Sequence, residues 1–186
     1  MDGLPLASTT DKIINPPSFK GTIPVPTLQS SRDIAADIDT VYALARRVED
    51  FPNYMPDVRS IKLLEQSPDG SRTVTEWVGI VEQFNQTVRW TEEDIWDHTA
   101  HTCQFKQIKG DYSAYSGEWR FIEIPSGTRF ESTLHFEYNI PLIGALIQGI
   151  IARLMKTNLE NTLKAIAEQA EAKVKSHVDA GTPDAR

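Results

Sequence analysis

The sequence predicts an α+β domain in which a concave antiparallel β-sheet lays its single apolar face against a long C-terminal helix. Three observations predict it. Apolar side chains recur at Ile143, Leu146/Ile147, Ile150/Ile151, Leu154/Met155, Leu159, Leu163, Ile166/Ala167 and Ala170, which is the three-to-four spacing of one helical stripe along roughly Pro141–Lys175. Upstream, a run of strand-like segments is separated by short turn sequences, and short links imply antiparallel neighbours. In the last two of these segments apolar and polar residues alternate, so one face of the sheet is greasy and the other wet. A lone helix cannot hide its stripe, and the sheet supplies the surface that covers it.

The totals are those of one globular domain with extensions: 186 residues, 40% hydrophobic and 24% charged, with a mean hydropathy of -0.36. A formal charge of -7 and no block of lysines or arginines argue against a nucleic-acid partner, because phosphate binding needs a basic surface. The single cysteine, Cys103, excludes an internal disulfide and a cysteine-based metal cluster. No basic start followed by an apolar run marks a signal peptide. The most apolar stretch, Ile140–Met155, contains Gln148 and Arg153 and is short for a membrane span of about 20 residues. A cytoplasmic protein is the expectation.

In chain order, residues 1–26 read as a proline-rich N-terminal tail and residues 176–186 as a C-terminal tail, leaving a domain over 27–175. A first strand is expected over Thr27–Ala35. Asp37 is placed to cap a helix, with Asp39 adding negative charge to its first turn. Val41, Leu44, Ala45 and Val48 share that helix's face. Phe51-Pro52-Asn53-Tyr54-Met55-Pro56 forms a second, short helical element bracketed by prolines. Strands follow over Val58–Gln66, Arg72–Val81, Gln86–Ile95, His101–Lys109, Tyr115–Ile124 and Thr128–Ile140. Ser67-Pro68-Asp69-Gly70 and Pro125-Ser126-Gly127 are turns between them.

No nucleophile elbow, phosphate loop or cysteine–histidine pair is present. His98 and His101 flank a turn without a third ligand at useful spacing, so no metal site is expected, and His135 belongs to the polar phase of its strand. The acidic run Glu92-Glu93-Asp94 is expected at a solvated strand end, in preference to a carboxylate at a cavity mouth. Cys103 shares its strand phase with Phe105 and reads as a buried small residue.

Val41-Tyr42-Ala43-Leu44 leading into Phe51–Val58, then Gly117-Glu118-Trp119-Arg120-Phe121, Pro125–Thr128 and the helix containing Asn158 and Asn161 resemble the START-like (SRPBCC) superfamily. The resemblance is to its polyketide cyclase/dehydrase and coenzyme Q-binding branches and spans residues 27–172. It implies a helix-grip fold, in which a curved antiparallel sheet wraps a long C-terminal helix and two short helices follow the first strand. It also implies a cavity between sheet and helix. Asp57 matches an acidic residue of the aromatase branch and is the candidate catalytic acid/base. Asp94 stands where that branch carries an arginine, and Val58 where an aromatic hydroxyl is expected.

The residues expected to line the cavity are Trp77, Trp90, Phe105, Tyr115, Trp119, Phe121, Phe130, Leu134, Phe136 and Tyr138 from the sheet, with Ile143, Ile147, Ile150, Ile151 and Leu154 from the helix. Gln107 and Ser132 share the inward phases and would fix a polar group of the ligand. Such a lining suits a hydrophobic small molecule, a lipid or an isoprenoid quinone. The expectation is therefore binding or carriage of such a molecule without a cofactor, and the alternative is a polyketide aromatase/cyclase in the same cavity. Apolar surface at the helix start would serve either a transient membrane contact or a dimer contact, which leaves monomer and homodimer both open.

Overall fold

A computed structural model of the chain describes residues 27–81, 85–137 and 145–180, with the side chains of 145–148 and 177–180 excepted. The expectations for the N-terminal tail, Tyr138, Ile143 and the Ile147 side chain lie outside the described residues.

The strands β1 (Thr27–Ile34), β2 (Val58–Gln66), β3 (Arg72–Val81), β4 (Gln86–Asp97), β5 (Thr102–Gly110), β6 (Ala114–Ile124) and β7 (Gly127–Glu137) form one sheet. It is seven-stranded in the order β1-β7-β6-β5-β4-β3-β2, antiparallel at every pairing. The chain meanders from β2 to β7, and β1 closes the far edge on β7. Register shifts in β2 and between Thr91 and Glu92 of β4 interrupt the ladder; such irregularities sharpen local twist and bend the sheet. Curvature matters here because a flat sheet could not surround a helix.

Between β1 and β2 lie α1 (Ile38–Ala45) and a 3-10 helix (Val48–Asn53). Asp37 caps α1 as its sequence position predicts: one carboxylate oxygen accepts from Thr40 N at 2.8 Å and the other from Thr40 Oγ1 at 2.8 Å. Val41 and Ala45 are fully buried and Tyr42 nearly so. The C-terminal helix α2 runs over Ala145–Ala180, past the expected end at Lys175.

Within α2 the buried residues are Met155, Leu159, Leu163, Ile166, Ala167 and Ala170, with Ala165 beside them, so the stripe read from the sequence is the seam that meets the sheet. Its early part needs correction at Ile150, which is 41% exposed. Counting back one turn from Met155 lands on Ile151, which packs against the core. Ile150 sits about 100° away around the axis and points off the seam. The second half of α2 packs on β1 and α1, where Glu171 Oε1 accepts from Ala35 N at 3.3 Å. Its first half crosses the open part of the sheet's concave face.

On β7 the inward phase Thr128, Phe130, Ser132, Leu134 and Phe136 is buried throughout. On β4 the inward phase is Val88, Trp90, Glu92, Asp94 and Trp96. The acidic run is thus not a strand end. β4 continues to Asp97, and the alternation that turns Trp90 inward turns Glu92 and Asp94 inward with it.

Candidate ligand-binding cavity

A cavity of about 100 Å³ lies between the concave face and α2. The 3-10 helix and the residues after it bring Phe51, Met55 and Asp57 to one side. Strands β3 to β7 supply Trp77, Trp90, Glu92, Phe105, Tyr115, Trp119 and Leu134, and α2 closes the top with Met155, Asn158, Leu159 and Thr162.

The wall is built from stacked rings. Trp77 and Trp90, cross-strand partners on β3 and β4, lie nearly parallel at 5.2 Å. Tyr112 stacks on Tyr115 at 4.8 Å, and the edge of Trp90 meets Tyr112 at 5.7 Å. Both indole N–H groups are satisfied within their own strands: Trp77 Nε1 donates to Thr75 Oγ1 at 2.8 Å, and Trp90 Nε1 donates to Glu92 Oε2 at 3.0 Å. Each bond ties a ring to a side chain two residues away along the same face, which fixes its orientation.

Glu92 is 6% exposed and Asp94 3%. Their side chains hydrogen-bond to each other, and Thr73 Oγ1 donates to Asp94 Oδ2 at 3.1 Å. Burial raises the Glu92 carboxyl well above the usual carboxylate range, and the Asp94 charge beside it adds to the effect. Burial raises Asp94 to about 6, opposed by its bonds to Glu92 and Thr73. Two adjacent carboxyls out of water cannot both ionise at neutral pH, so the pair holds one proton. Glu93, between them, faces the other way and pairs with Arg72 at 2.7 Å and Lys106 at 2.9 Å. Burial likewise drives the Tyr115 phenol well above its ordinary value, with Glu92 the next cause, and pushes the Cys103 thiol up.

The other expected site residues divide by depth along the strands. Trp77, Trp90, Phe105, Tyr115, Trp119, Leu134 and Asp57 reach the cavity. Phe121, Phe130 and Phe136 are buried away from it. Phe121 and Phe130 stack at 4.6 Å, and Tyr42 of α1 packs its ring against Phe121 at 5.4 Å. Alternation says which face a side chain takes; α1 decides that the Phe121/Phe130 end of the face is sealed core, while Phe136 lies towards the other end of β7, opposite Tyr115. Gln107 does not reach the cavity. Its Nε2 donates to Tyr112 O at 2.8 Å and its Oε1 accepts from Tyr112 N at 3.3 Å, so it pins the β5–β6 loop that carries Tyr112. Ser132 is 2% exposed, outside the lining, and its hydroxyl has no hydrogen-bond partner among the described residues. Ile151 and Leu154 are half-buried on α2 and do not reach the lining.

Glu92 had a signal in the sequence, its shared parity with Trp90 and Trp96. Asn158 and Thr162 belong to the polar positions of the helix pattern, yet they lie one residue before and three residues after Leu159, on the flank that overhangs the cavity. Tyr112 carried no signal, being a loop residue positioned by Gln107.

His98 and His101 lie at the α1 end: His98 Nδ1 is 2.9 Å from the Tyr42 hydroxyl, and His101 Nε2 is 3.6 Å from Asp39. His135 is exposed, as its phase predicts, and meets Thr27 Oγ1 at 2.9 Å.

Residues 34–162 match the sequence profile of the family described as polyketide cyclase / dehydrase and lipid transport. The chain belongs to that family. The START-like resemblance and the helix-grip architecture are accordingly those of the protein. Among solved structures, TTHA0849 from Thermus thermophilus is similar at 33% identity over 80% of this chain and 99% of that one, with a TM-score of 0.74. The Zhui aromatase/cyclase from Streptomyces sp. R1128 shares the fold at 18% identity, covering 80% of this chain and 95% of that one, with a TM-score of 0.73. The STAR-related lipid transfer protein from Xanthomonas axonopodis does so at 15% identity, 77% and 85% coverage and a TM-score of 0.64. No curated protein sequence matches the chain. One frame thus serves an aromatase/cyclase and a lipid transfer protein, and identities this low show the fold alone. No helix among the described residues is long and apolar enough to cross a membrane.

Proposed function

We propose that this domain binds a hydrophobic small molecule between the sheet and α2, with a ring-sized head group seated among Trp77, Trp90, Tyr112 and Tyr115. The observation that carries the reading is the aromatic-walled cavity under the first half of α2. Drug-sized ligands occupy about 300–1,000 Å³, and an engineered cavity of about 150 Å³ takes up benzene. At about 100 Å³ the space suits a single ring or chain end, with the remainder of the ligand leading out of it. Family membership supports the same reading. Native mass spectrometry of freshly purified protein, followed by solvent extraction, tests it. A discrete hydrophobic ligand is expected, with quenching of tryptophan fluorescence when it is added back to stripped protein. A protein that is consistently empty and indifferent to ring-containing hydrophobic probes would sink the reading.

One observation favours a second reading, a polyketide aromatase/cyclase: the cavity wall contains a carboxylic acid. In that reading Asp57 removes a proton from the carbon between two ketones. The resulting carbanion attacks a third carbonyl carbon, and Glu92 protonates that carbonyl's oxygen as the C–C bond forms. Glu92→Gln and Asp57→Asn would then each abolish turnover of a poly-β-ketone while leaving its binding intact. Binding without turnover by the unmodified protein decides against it.

A further inference from the structure

Every charged side chain that lines the cavity, among the described residues, bears a carboxyl group: Glu92 and Asp57. Glu92 is the deeper, and Asp94 lies behind it in hydrogen-bond contact. The pair keeps one negative charge while sharing one proton, and among the described residues neither member forms an ion pair with a lysine, arginine or histidine. The nearby cations Arg72 and Lys106 are occupied with Glu93 on the opposite face. A buried charge without a counter-ion is costly, and proteins retain one where something pairs with it. The surroundings of Glu92 add to this. Trp77, Trp90, Tyr112 and Tyr115 hold their rings about the same space, and aromatic faces attract cations through their quadrupoles.

We infer that the ligand this cavity selects is a hydrophobic amine in its protonated form, its ammonium group seated against Glu92 among the aromatic rings. The inference rests on the binding reading above and names the chemical class of its ligand. A neutral hydrocarbon of the same shape gains the apolar contacts but leaves the carboxyl pair uncompensated. An alcohol adds one neutral hydrogen bond. The ammonium alone cancels the charge and donates to the free lone pairs of Glu92, since Oε2 already accepts from Trp90. Metal ions are poorly served, because among the described residues no group of three or more histidine, cysteine, aspartate or glutamate side chains converges to hold one, and hard cations take about six or more oxygen ligands.

The groups facing the pair give the inference a pH signature. They are Thr73 from β3, Cys103 and Phe105 from β5, Tyr115 from β6 and Tyr112 from the β5–β6 loop, with uncharged Asn158 and Thr162 from α2 and Asp57 at the far side. Burial keeps Cys103 and Tyr115 protonated, so the change in charge beside the ligand near neutral pH falls to Asp94, at about 6.

The test uses three probes of one shape on the full chain, benzylamine, benzyl alcohol and ethylbenzene, read by tryptophan fluorescence and calorimetry. Benzylamine is expected to bind about tenfold or more tighter than ethylbenzene at pH 7.5, from the combined charge and cation–π attraction. Its advantage should fade as pH falls below about 6, where Asp94 takes up the second proton. The double variant Glu92→Gln/Asp94→Asn is neutral at every pH and keeps the shape of both side chains. It should lose both the preference for benzylamine over ethylbenzene and the pH dependence of that preference. If that variant does not fold, Asp94→Asn alone serves, since it removes the group whose charge changes at about pH 6, and the pH dependence of the amine preference should go with it. Equal binding of all three probes, or an amine preference that survives in the neutral variant, overturns the inference and leaves the binding reading standing. Failure of all three probes overturns both.

Discussion

Trp90 donates its indole N–H to Glu92 two residues along the same face of β4, at 3.0 Å. The bond joins the aromatic wall to the buried carboxyl pair. It satisfies one Glu92 oxygen, Oε2. Replacing Trp90 by Phe keeps most of the ring and strands that oxygen. The loss should be about 1–3 kcal/mol, measured by urea denaturation, and Trp90→Phe/Glu92→Leu should recover part of it.

The carboxyl pair also predicts how stability depends on pH. Asp94 is raised from 3.8 to about 6 by burial, so the folded state binds its proton more tightly than the unfolded chain does. The contribution is present in full below pH about 4 and is lost as pH rises through 6. Over that window Asp94 by itself lowers stability by about 3 kcal/mol, against a background set by ordinary surface carboxylates. Asp94→Asn removes the ionisation, and its advantage over the unmodified protein should vanish near pH 4, grow between about pH 4 and 6 and level off above pH 6 in thermal melts.

Gly117 has no room for a side chain. A Cβ there would overlap Thr133 O and the ring of Phe105, and a carbonyl held in the β6–β7 ladder cannot step aside. Gly117→Ala should cost upwards of about 2 kcal/mol and move the Phe105 ring at the cavity floor, visible as lower protein stability with reduced probe binding.

α2 should respond unevenly to truncation. Leu163 is 1% exposed and Ile150 is 41% exposed. Leu163→Ala should cost about 2–5 kcal/mol, while Ile150→Ala should stay within about 0.5 kcal/mol. Equal losses in denaturant melts would contradict the seam running through Ile151 and Met155.

Gln107→Leu keeps the side-chain volume and removes both bonds to the Tyr112 backbone. Stability should drop by about 1–2 kcal/mol. Faster amide exchange at Tyr112 and weaker binding of aromatic probes should accompany it, since that loop places one wall of the cavity.

The sequence by itself determined the sheet, its inward phases, the capped α1 and the helical seam. These follow from local rules: period two on Phe130, Leu134 and Phe136, period 3.6 on Leu159, Leu163 and Ile166, and an aspartate ahead of Thr40. It also held the parity that turns Glu92 and Asp94 inward, masked by the prior that three consecutive acids belong in water. Tertiary structure alone decided where along the inward face the space remains open. Phe121 and Phe130 carry the same pattern as Trp77 and Trp90, but α1 covers the first pair with Tyr42 and α2 bridges over the second. Whether a phase-matched side chain becomes core or cavity depends on which helix crosses above it, at distances no local period encodes. The same crossing brings Asn158 to the site and lets a loop residue, Tyr112, complete its wall through a hydrogen-bond clamp from Gln107.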